Sequence, residues 1–212
     1  MLRSVEPDPE ILAELSPEKL LWAYAHGVFP MVDNGALLWF SPDPRGLLPL
    51  DGRFHVSRSL RRTIRQGRFE CTVDKCFAAI MDLCSEGRDE GTWISPEMKV
   101  AYGRLHDLGF AHSVEAWPAG RVGQGAPAGG LYGVSIGAAF FAESMFHRQT
   151  DAGKVALAYL VERLIERGYA ICDVQWTTDN LRRFGAFDIQ RDQYLDMLVE
   201  AVSIKPGTVT YL

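Results

Sequence analysis

Three polar side chains lie in stretches of the sequence that otherwise have the character of β-strands. Asp173 and Gln175 belong to DVQW, and Glu143 belongs to ESMFHR. Successive strand side chains point to opposite faces, so Asp173 and Gln175 are expected on one face, about 7 Å apart, with Val174 and Trp176 on the other. This acid and amide form either a polar working face or a solvated strand end.

Glu143 is predicted to lie on the same face as Phe141 and Met145, inside an otherwise apolar strand. Burying a carboxylate without a partner is costly, so Glu143 should meet a hydrogen-bond donor or a substrate amine. A structural salt bridge is the simpler interpretation, and the residues alone favour it.

A row of arginines recurs at i, i+3, i+4 and i+7 in SRSLRRTIRQG, and it consists of Arg58, Arg61, Arg62 and Arg65. On a helix this arginine row forms one face, with Leu60 and Ile64 on the other. It is a candidate for phosphate contacts. A solvated face paired with local acids is equally favoured.

Other chemistry finds less support. Trp93, in EGTWIS before a helix start, could stack on a base or pack in the core. The five histidines lack ligand spacing, so no metal site is expected. The sequence has no GxSxG motif for a nucleophilic hydrolase. The glycines of RVGQGAPAGG run into a strand rather than a helix, which argues against a coenzyme A pyrophosphate site.

Composition indicates an ordinary globular protein. The chain has 212 residues, 47% hydrophobic and 23% charged, which is enough for one substantial core or for a small domain on a larger one. The net charge of -5 argues against non-specific coating of nucleic acid but allows a local basic patch. No apolar run could span a bilayer, and MLRSVEPDPEILAEL lacks the apolar region of a signal peptide, so we expect a cytoplasmic protein. Four cysteines without a CxxC pair are expected to be buried thiols.

The elements that must position these residues change character at Gly109. Before it, helices are predicted in SPEKLLWAYAHG, SRSLRRTIRQG, DKCFAAIMDLCSEG and SPEMKVAYGRLHDLG, with Ser16, Asp74 and Ser95 as caps and Gly87 as a stop. After it, FAHSVEAW, LYGVSIG and AAFFAESMF predict an antiparallel meander. A helix in KVALAYLVERLIERG, a strand in YAICDVQW and a helix in QRDQYLDMLVEAV follow.

This order predicts an α+β fold with a mixed sheet and flanking helices. The proline- and glycine-rich stretch 28–50 is expected to be an ordered loop. We predict a small N-terminal domain at residues 1–50 and a catalytic domain at residues 51–212.

Seven motifs together resemble one family. They are LWFSPDPRG, FHVSRSLRR, EGTWI, YGRLHDLGFAHSVEAW, GGLYGV, FFAESMFHR and DVQW. In this order they are similar to the bacterial leucyl/phenylalanyl-tRNA–protein transferases, from about Leu20 to about Leu198. The resemblance implies an acetyltransferase-like catalytic domain without metal or cofactor. It also implies transfer of leucine or phenylalanine from aminoacyl-tRNA to the N-terminal Arg or Lys of an acceptor protein, which marks that protein for degradation.

The resemblance also implies roles for individual residues. Asp173 and Gln175 would lie beside the ester carbonyl, where the acid acts as a general base or the pair only positions the amine. Glu143 would be a partner for the incoming cationic residue or amine. Trp93 would lie near the terminal adenosine, and the arginine row would contact the acceptor stem. The apolar aminoacyl pocket would be formed by Leu131, Phe140, Leu157 and Leu160.

Several positions depart from the family's pattern. Met31 replaces a second tryptophan near the adenosine, and Leu131 and Leu160 replace a methionine and a phenylalanine. An apolar pocket discriminates by only about 1–3 kcal/mol per methylene, so methionine can also enter as donor. Three alternatives stay open: a leucyl transferase for N-terminal Asp or Glu, a coenzyme A-dependent N-acetyltransferase, and a non-catalytic module that binds tRNA or N-terminal residues.

Overall fold

The computed structural model describes residues 15–33, 36–86 and 92–204. The helices are α1 (Pro17–Ala25), α2 (Arg58–Arg65), α3 (Phe77–Ser85), α4 (Pro96–Asp107), α5 (Ala152–Glu166), α6 (Asp179–Arg182) and α7 (Arg191–Ser203). None of the helices in these ranges is long and apolar enough to cross a membrane.

The strands form a two-stranded and a seven-stranded sheet. They are β1 (Phe29–Asp33), β2 (Ala36–Phe40), β3 (Arg45–Leu48), β4 (Phe69–Val73), β5 (Ala111–Pro118), β6 (Gly129–Ile136), β7 (Ala139–His147), β8 (Ile171–Gln175) and β9 (Phe187–Ile189). The large sheet has the order β4-β5-β6-β7-β8-β3-β9. Its pairs are antiparallel except β7 with β8, which α5 connects as a crossover. The predicted α+β class with a mixed sheet and flanking helices is confirmed.

Two layers of helices cover the large sheet. Tyr132 of β6 packs edge-on against Phe77 of α3 and Tyr102 of α4, with ring centroids 6.0 and 5.8 Å apart. The neighbouring Leu131 and Leu157 of α5 line a common cavity. Because β6 side chains alternate between faces, α3 and α4 lie on one side of the sheet and α5 on the other.

The helix starts follow the sequence in three of four cases. The side chains of Ser16, Ser57 and Ser95 each accept a hydrogen bond from a backbone N–H in the first turn of α1, α2 and α4. The cap predicted at Asp74 is wrong, because α3 begins after Cys76. Asp74 instead has φ 57° and accepts hydrogen bonds from the His112 ring and the Ser113 N–H. The stop predicted at Gly87 lies outside the described residues.

The loop predicted at residues 28–50 is also wrong. This stretch contains the β1–β2 hairpin and β3, which are only four or five residues long and are bordered by prolines. Proline is tolerated at strand ends and on edge strands. The many prolines in this stretch therefore made a loop look more probable from the sequence, although short strands were compatible with them. The short strands β4 and β9 and the helix α6 likewise have no counterpart in the sequence prediction. Although β3 precedes residue 50, it pairs with β8 and β9. The domain division at residue 50 stays a prediction.

Candidate active site

A cavity of about 670 Å³ opens where the parallel strands β7 and β8 separate. Their pairing runs from Ala139 opposite Ile171 to Phe141 opposite Asp173, while β7 continues to His147. The space between the diverging strand ends is lined from three directions.

Each direction contributes a wall with apolar side chains. The β7 wall, from β6, β7 and α5, has an apolar part formed by Leu131, Ala142, Met145 and Leu157 and a polar part formed by Ser144, His147, Thr150, Asp151, Gly153 and Lys154. The β1 wall consists of Phe29, Met31 and Trp93. The β8 wall, from β8, α6 and the segments flanking α6, consists of Val174, Trp176, Thr178, Asn180, Leu181 and Phe184. Glu143 and Gln175 lie among these walls as a polar pair.

A β-bulge directs Glu143 into the cavity. Tyr132 pairs with Ser144, but Gly133 pairs with Ala142, so Glu143 is an extra residue without a partner on β6. A Cβ at position 133 would lie 2.3 Å from the Phe141 carbonyl oxygen and 2.6 Å from the Phe140 ring. Gly133 is therefore what lets the bulged strand approach so closely. This close approach explains why the third glycine of GGLYGV stands at position 133.

Glu143 is held by neutral donors. The Gln175 Nε2 donates to Glu143 Oε1 at 3.2 Å, and the hydroxyls of Tyr24 and Tyr102, which hydrogen-bond to each other, lie close enough to the carboxyl to oppose the rise of its pKa. Burial raises the pKa of both phenols well above its usual value, so they remain protonated and can donate. Burial also raises the pKa of Glu143 to about 8, although the phenols oppose the change. No ion pair within 4.0 Å involves Glu143 in the described part of the chain, so the structural salt bridge is not formed.

Asp173 is in a different situation. It is 0% exposed, and its Oδ2 accepts from Arg45 Nη2 and from the Tyr194 hydroxyl, both at 2.6 Å. Its Oδ1 accepts from Arg45 Nε at 3.0 Å and from the Gln175 N–H at 2.8 Å. Arg45 also donates to the Gly27 carbonyl and lies over the rings of Phe29 and Tyr194. The carboxylate is thus fully occupied by the protein.

The shared face predicted for Asp173 and Gln175 is therefore wrong, and so is the solvated strand end. Gln175 has φ 60°, and the register of β3 against β8 shifts between Gly46 and Leu47. The left-handed backbone breaks the alternation, so Val174, Gln175 and Trp176 all line the cavity while Asp173 points into the protein. Asp173 acts on the cavity only through the Gln175 N–H that it holds.

Four of the predicted donor-site residues do line the cavity: Leu131, Leu157, Met31 and Trp93. The Val32 N–H donates to the Trp93 carbonyl at 3.3 Å, which joins Trp93 to β1 beside Met31. Phe140 and Leu160 do not line the cavity and are 0% exposed. They pack behind the lining, because the bulge at Glu143 and the buried face of α5 direct both side chains into the core.

The arginine row is exposed along its whole length. None of its four side chains forms an ion pair with a residue that the structure describes. The buried face of α2 consists of Leu60 and Thr63, whereas Ile64, on the side away from the arginines as predicted, is 43% exposed. The Thr63 hydroxyl donates to Asp151, which lines the cavity just before α5. The buried face of α2 therefore lies next to the edge of the cavity, and the arginine row covers the opposite, exposed side of the helix.

Sequence reasoning missed Arg45, Tyr24, Tyr102 and Tyr194, which hold the two carboxylates. Arg45 stands between two prolines and a glycine, a context typical of a loop, and the tyrosines occupy ordinary apolar helix positions. A buried arginine has no local signature. The usable signal is the pairing rule itself, because a buried Asp173 requires a cation somewhere in the chain.

The described residues contain no group of three or more His, Cys, Asp or Glu side chains arranged for a metal. Two of the four cysteines, Cys84 and Cys172, are buried as expected, while Cys71 and Cys76 are partly exposed.

Comparison with known proteins identifies one family along most of the chain. The family model for leucyl/phenylalanyl-tRNA protein transferase matches residues 47–199, and the model for the N-terminal domain of the same family matches residues 13–43. The leucyl/phenylalanyl-tRNA–protein transferase of Herpetosiphon aurantiacus is 50% identical over 89% of this chain and 95% of its own length. Those of Rhodopseudomonas palustris strain TIE-1 and Magnetococcus marinus are 47% and 49% identical, over 92% and 90% of this chain and 86% and 81% of theirs.

One solved structure that matches is only distantly similar. A tandem GNAT protein from the clavulanic acid biosynthesis pathway is 15% identical with a TM-score of 0.39, over 89% of this chain and 59% of that one. The matching family models cover most of the chain, and the matching relatives share about half of its residues. The chain therefore belongs to the leucyl/phenylalanyl-tRNA protein transferase family of aminoacyltransferase enzymes.

Proposed function

We propose that this enzyme transfers leucine or phenylalanine, and less efficiently methionine, from aminoacyl-tRNA to the N-terminal Arg or Lys of acceptor proteins. The added residue would mark the acceptor for degradation in the cytoplasm. The observation that carries the proposal is the Glu143–Gln175 pair at the meeting point of apolar walls.

The β7 wall suits the donor side chain. Leu131 and Leu157 offer aliphatic surface without a hydrogen-bonding group, so recognition rests on shape and burial. Trp93 and Met31 on the β1 wall offer an aromatic face and a thioether for the adenine of the terminal nucleotide.

A basic acceptor fits the charges of the cavity. Glu143 is the acid at its centre, and an Arg or Lys acceptor brings two cationic groups, the α-ammonium and the side chain. Lys154, the lysine among the described lining residues, lies 3.6 Å from Asp151, so its charge is partly neutralised. A cationic acceptor lowers the pKa of Glu143 and so favours its ionised form, whereas the carboxylate of an acidic acceptor would raise that pKa further and find no cation at Glu143 to pair with.

Transfer needs a neutral amine next to the ester carbonyl. Gln175 donates through Nε2 to Glu143, which leaves its Oε1 to accept an N–H from the acceptor amine. Glu143 takes one proton from the α-ammonium, and its pKa of about 8 matches that of an N-terminal amine, about 7.7–8.0. The amine nitrogen then bonds to the carbonyl carbon, and the bond from that carbon to the ribose oxygen breaks. The ribose oxygen leaves with the second proton that the nitrogen loses as it becomes an amide, while Glu143 keeps the first.

In this scheme Asp173 is a positioning residue and not the base. Its lone pairs are occupied by Arg45, Tyr194 and the Gln175 N–H. By holding that N–H it keeps Gln175 in a backbone conformation that non-glycine residues rarely adopt.

The test is transfer of labelled leucine from leucyl-tRNA to peptides that differ only in their first residue. We expect transfer to Arg and Lys peptides, little to Asp or Glu peptides, and a loss of about 10²–10⁴-fold in Glu143→Gln with tRNA binding retained. Preference for Asp would identify the related leucyl transferase. Binding of tRNA without turnover on any peptide would identify a non-catalytic module, and micromolar binding of acetyl-coenzyme A would support the acetyltransferase alternative.

A further inference from the structure

The β8 wall has no role in the function proposed above. Its most prominent residue is Trp176, which directly follows Gln175 and is 37% exposed in the cavity. Tryptophan is usually well buried, so an indole left open beside the polar pair is available for a ligand.

Trp176 is held in place by its neighbours. Its ring lies edge-on to Phe29 and Phe40, with centroids 5.3 and 6.3 Å apart. The backbone N–H of Trp176 donates to the Val174 carbonyl at 2.7 Å, and this bond closes a sharp turn of the chain after β8. A Cβ at position 46 would lie 2.8 Å from both the Trp176 carbonyl carbon and the Thr177 nitrogen, so Gly46 lets β3 pass directly beneath this turn.

Besides the carbonyl oxygen, an aminoacyl ester under attack presents three substituents around its carbonyl carbon. They are the amino acid's own part, the ribosyl leaving group and the incoming amine with its peptide chain. The β7 wall suits the first and the β1 wall suits the second. The β8 wall continues directly from Gln175, which binds the attacking amine in the proposed reaction. It is therefore the wall that remains for the acceptor's peptide chain.

We propose that the β8 wall is a binding subsite for the side chain of the acceptor's second residue, and that Trp176 makes this subsite prefer apolar and aromatic side chains. The proposal rests on the transferase function above. It adds to that function a specificity beyond the N-terminal residue.

The distribution of charge supports an apolar preference. The ionisable residues among the described cavity lining are Glu143, His147, Asp151 and Lys154, which all belong to β7, the turn after it or the first turn of α5. The β8 wall contains none. The nearby Asp188 is already bound by Thr177 and Arg182, at 2.9 and 2.7 Å. A charged second residue would be desolvated on the β8 wall without a partner.

The experiment measures kcat/KM for peptides that begin with Arg and differ only in the second residue, Phe, Leu, Ala, Lys or Asp. With wild-type enzyme and leucyl-tRNA, we expect Phe and Leu to exceed Asp by about 10-fold or more. In Trp176→Ala the advantage of Phe should be largely lost, with the KM for leucyl-tRNA unchanged. Trp176→Phe, which keeps an aromatic face, should retain most of the preference.

Trp22→Ala is the matched control, because Trp22 is 47% exposed on α1, stacks on His26 and does not line the cavity. A flat wild-type series with normal transfer overturns this subsite and leaves the transferase function standing. Transfer to no peptide overturns both. A raised KM for leucyl-tRNA in Trp176→Ala, with the peptide preference intact, would assign Trp176 to a nucleotide instead.

Discussion

Glu143 and Asp173 are two carboxylates on neighbouring strands with opposite surroundings. Asp173 faces a guanidinium, a phenol and a backbone N–H, and none of its surface is exposed. Glu143 faces an amide and two phenols and opens into the cavity. Asp173 forms a buried ion pair with Arg45 at 2.6 Å, whereas Glu143 has no such cation and burial raises its pKa.

This difference separates two tasks that the amino-acid types alone do not distinguish. A carboxylate whose lone pairs are all occupied fixes the backbone, and one with spare capacity can exchange a proton with a substrate. Gln175 joins the two, since its N–H belongs to Asp173 and its side chain to Glu143. Four sets of substitutions test the roles assigned to these residues and to the arginine row.

The largest effect on stability is expected from Arg45→Met. It leaves Asp173 charged, fully buried and without its cation, which typically costs about 3–5 kcal/mol. Urea unfolding at pH 7 would measure the loss. The control is Arg53→Met, because Arg53 pairs with Asp51 in full contact with solvent and should change little. Equal losses of stability in the two variants would show that the buried ion pair contributes no more to stability than the exposed one.

Gln175→Ala should mainly affect the reaction. It removes the amide that orients Glu143 and the amine, while the bond from the backbone N–H to Asp173 can remain. Misplaced reacting groups can cost about 100-fold, so we expect kcat to fall by this order. The KM for leucyl-tRNA should stay near that of the wild type. If kcat is unchanged and only KM rises, Gln175 is a binding residue.

The stability of Glu143→Gln relative to the wild type should increase as the pH rises. The folded-state pKa of about 8 exceeds the ordinary value of 4.5, so the folded wild type holds a proton that the unfolded chain has lost. Wild-type stability therefore falls between about pH 4.5 and pH 8, by up to a few kcal/mol, and the uncharged variant escapes this loss. Unfolding curves at pH 5 and pH 8.5 would give the difference, and a variant equally offset at both values would contradict it.

The smallest effect concerns the arginine row. If it contacts phosphates, replacing Arg61 and Arg62 by Ala should weaken tRNA binding and lower the slope of log affinity against log salt by about 0.7–0.9 for each lost contact. Transfer at saturating tRNA should be unchanged, in contrast to Gln175→Ala. Filter binding from low to moderate salt would measure the slope. An unchanged slope would return the arginine row to the alternative of a solvated face.

The sequence was informative where one element acts alone. Serine caps, the alternation in β5 to β7 and the amphipathic α5 predicted the fold class and the main sheet. It failed where two distant segments meet. The bulge at Glu143 depends on Gly133 of β6, and the turn of Gln175 depends on Gly46 and Asp173. The direction of the Asp173 side chain was therefore mispredicted, and Phe140 and Leu160 were placed in a pocket that they do not line.

The cluster around Arg45 also determines when the enzyme can become active during folding. Its contacts join Gly27, Asp173 and Tyr194, and Arg45 and Asp173 are 128 positions apart. Contacts between such distant segments close large loops and tend to form late. No fragment that stops before Tyr194 can complete the cluster, so a growing or partly folded chain cannot hold Gln175 in its working conformation. The enzyme thereby acquires its activity only once its own chain is assembled.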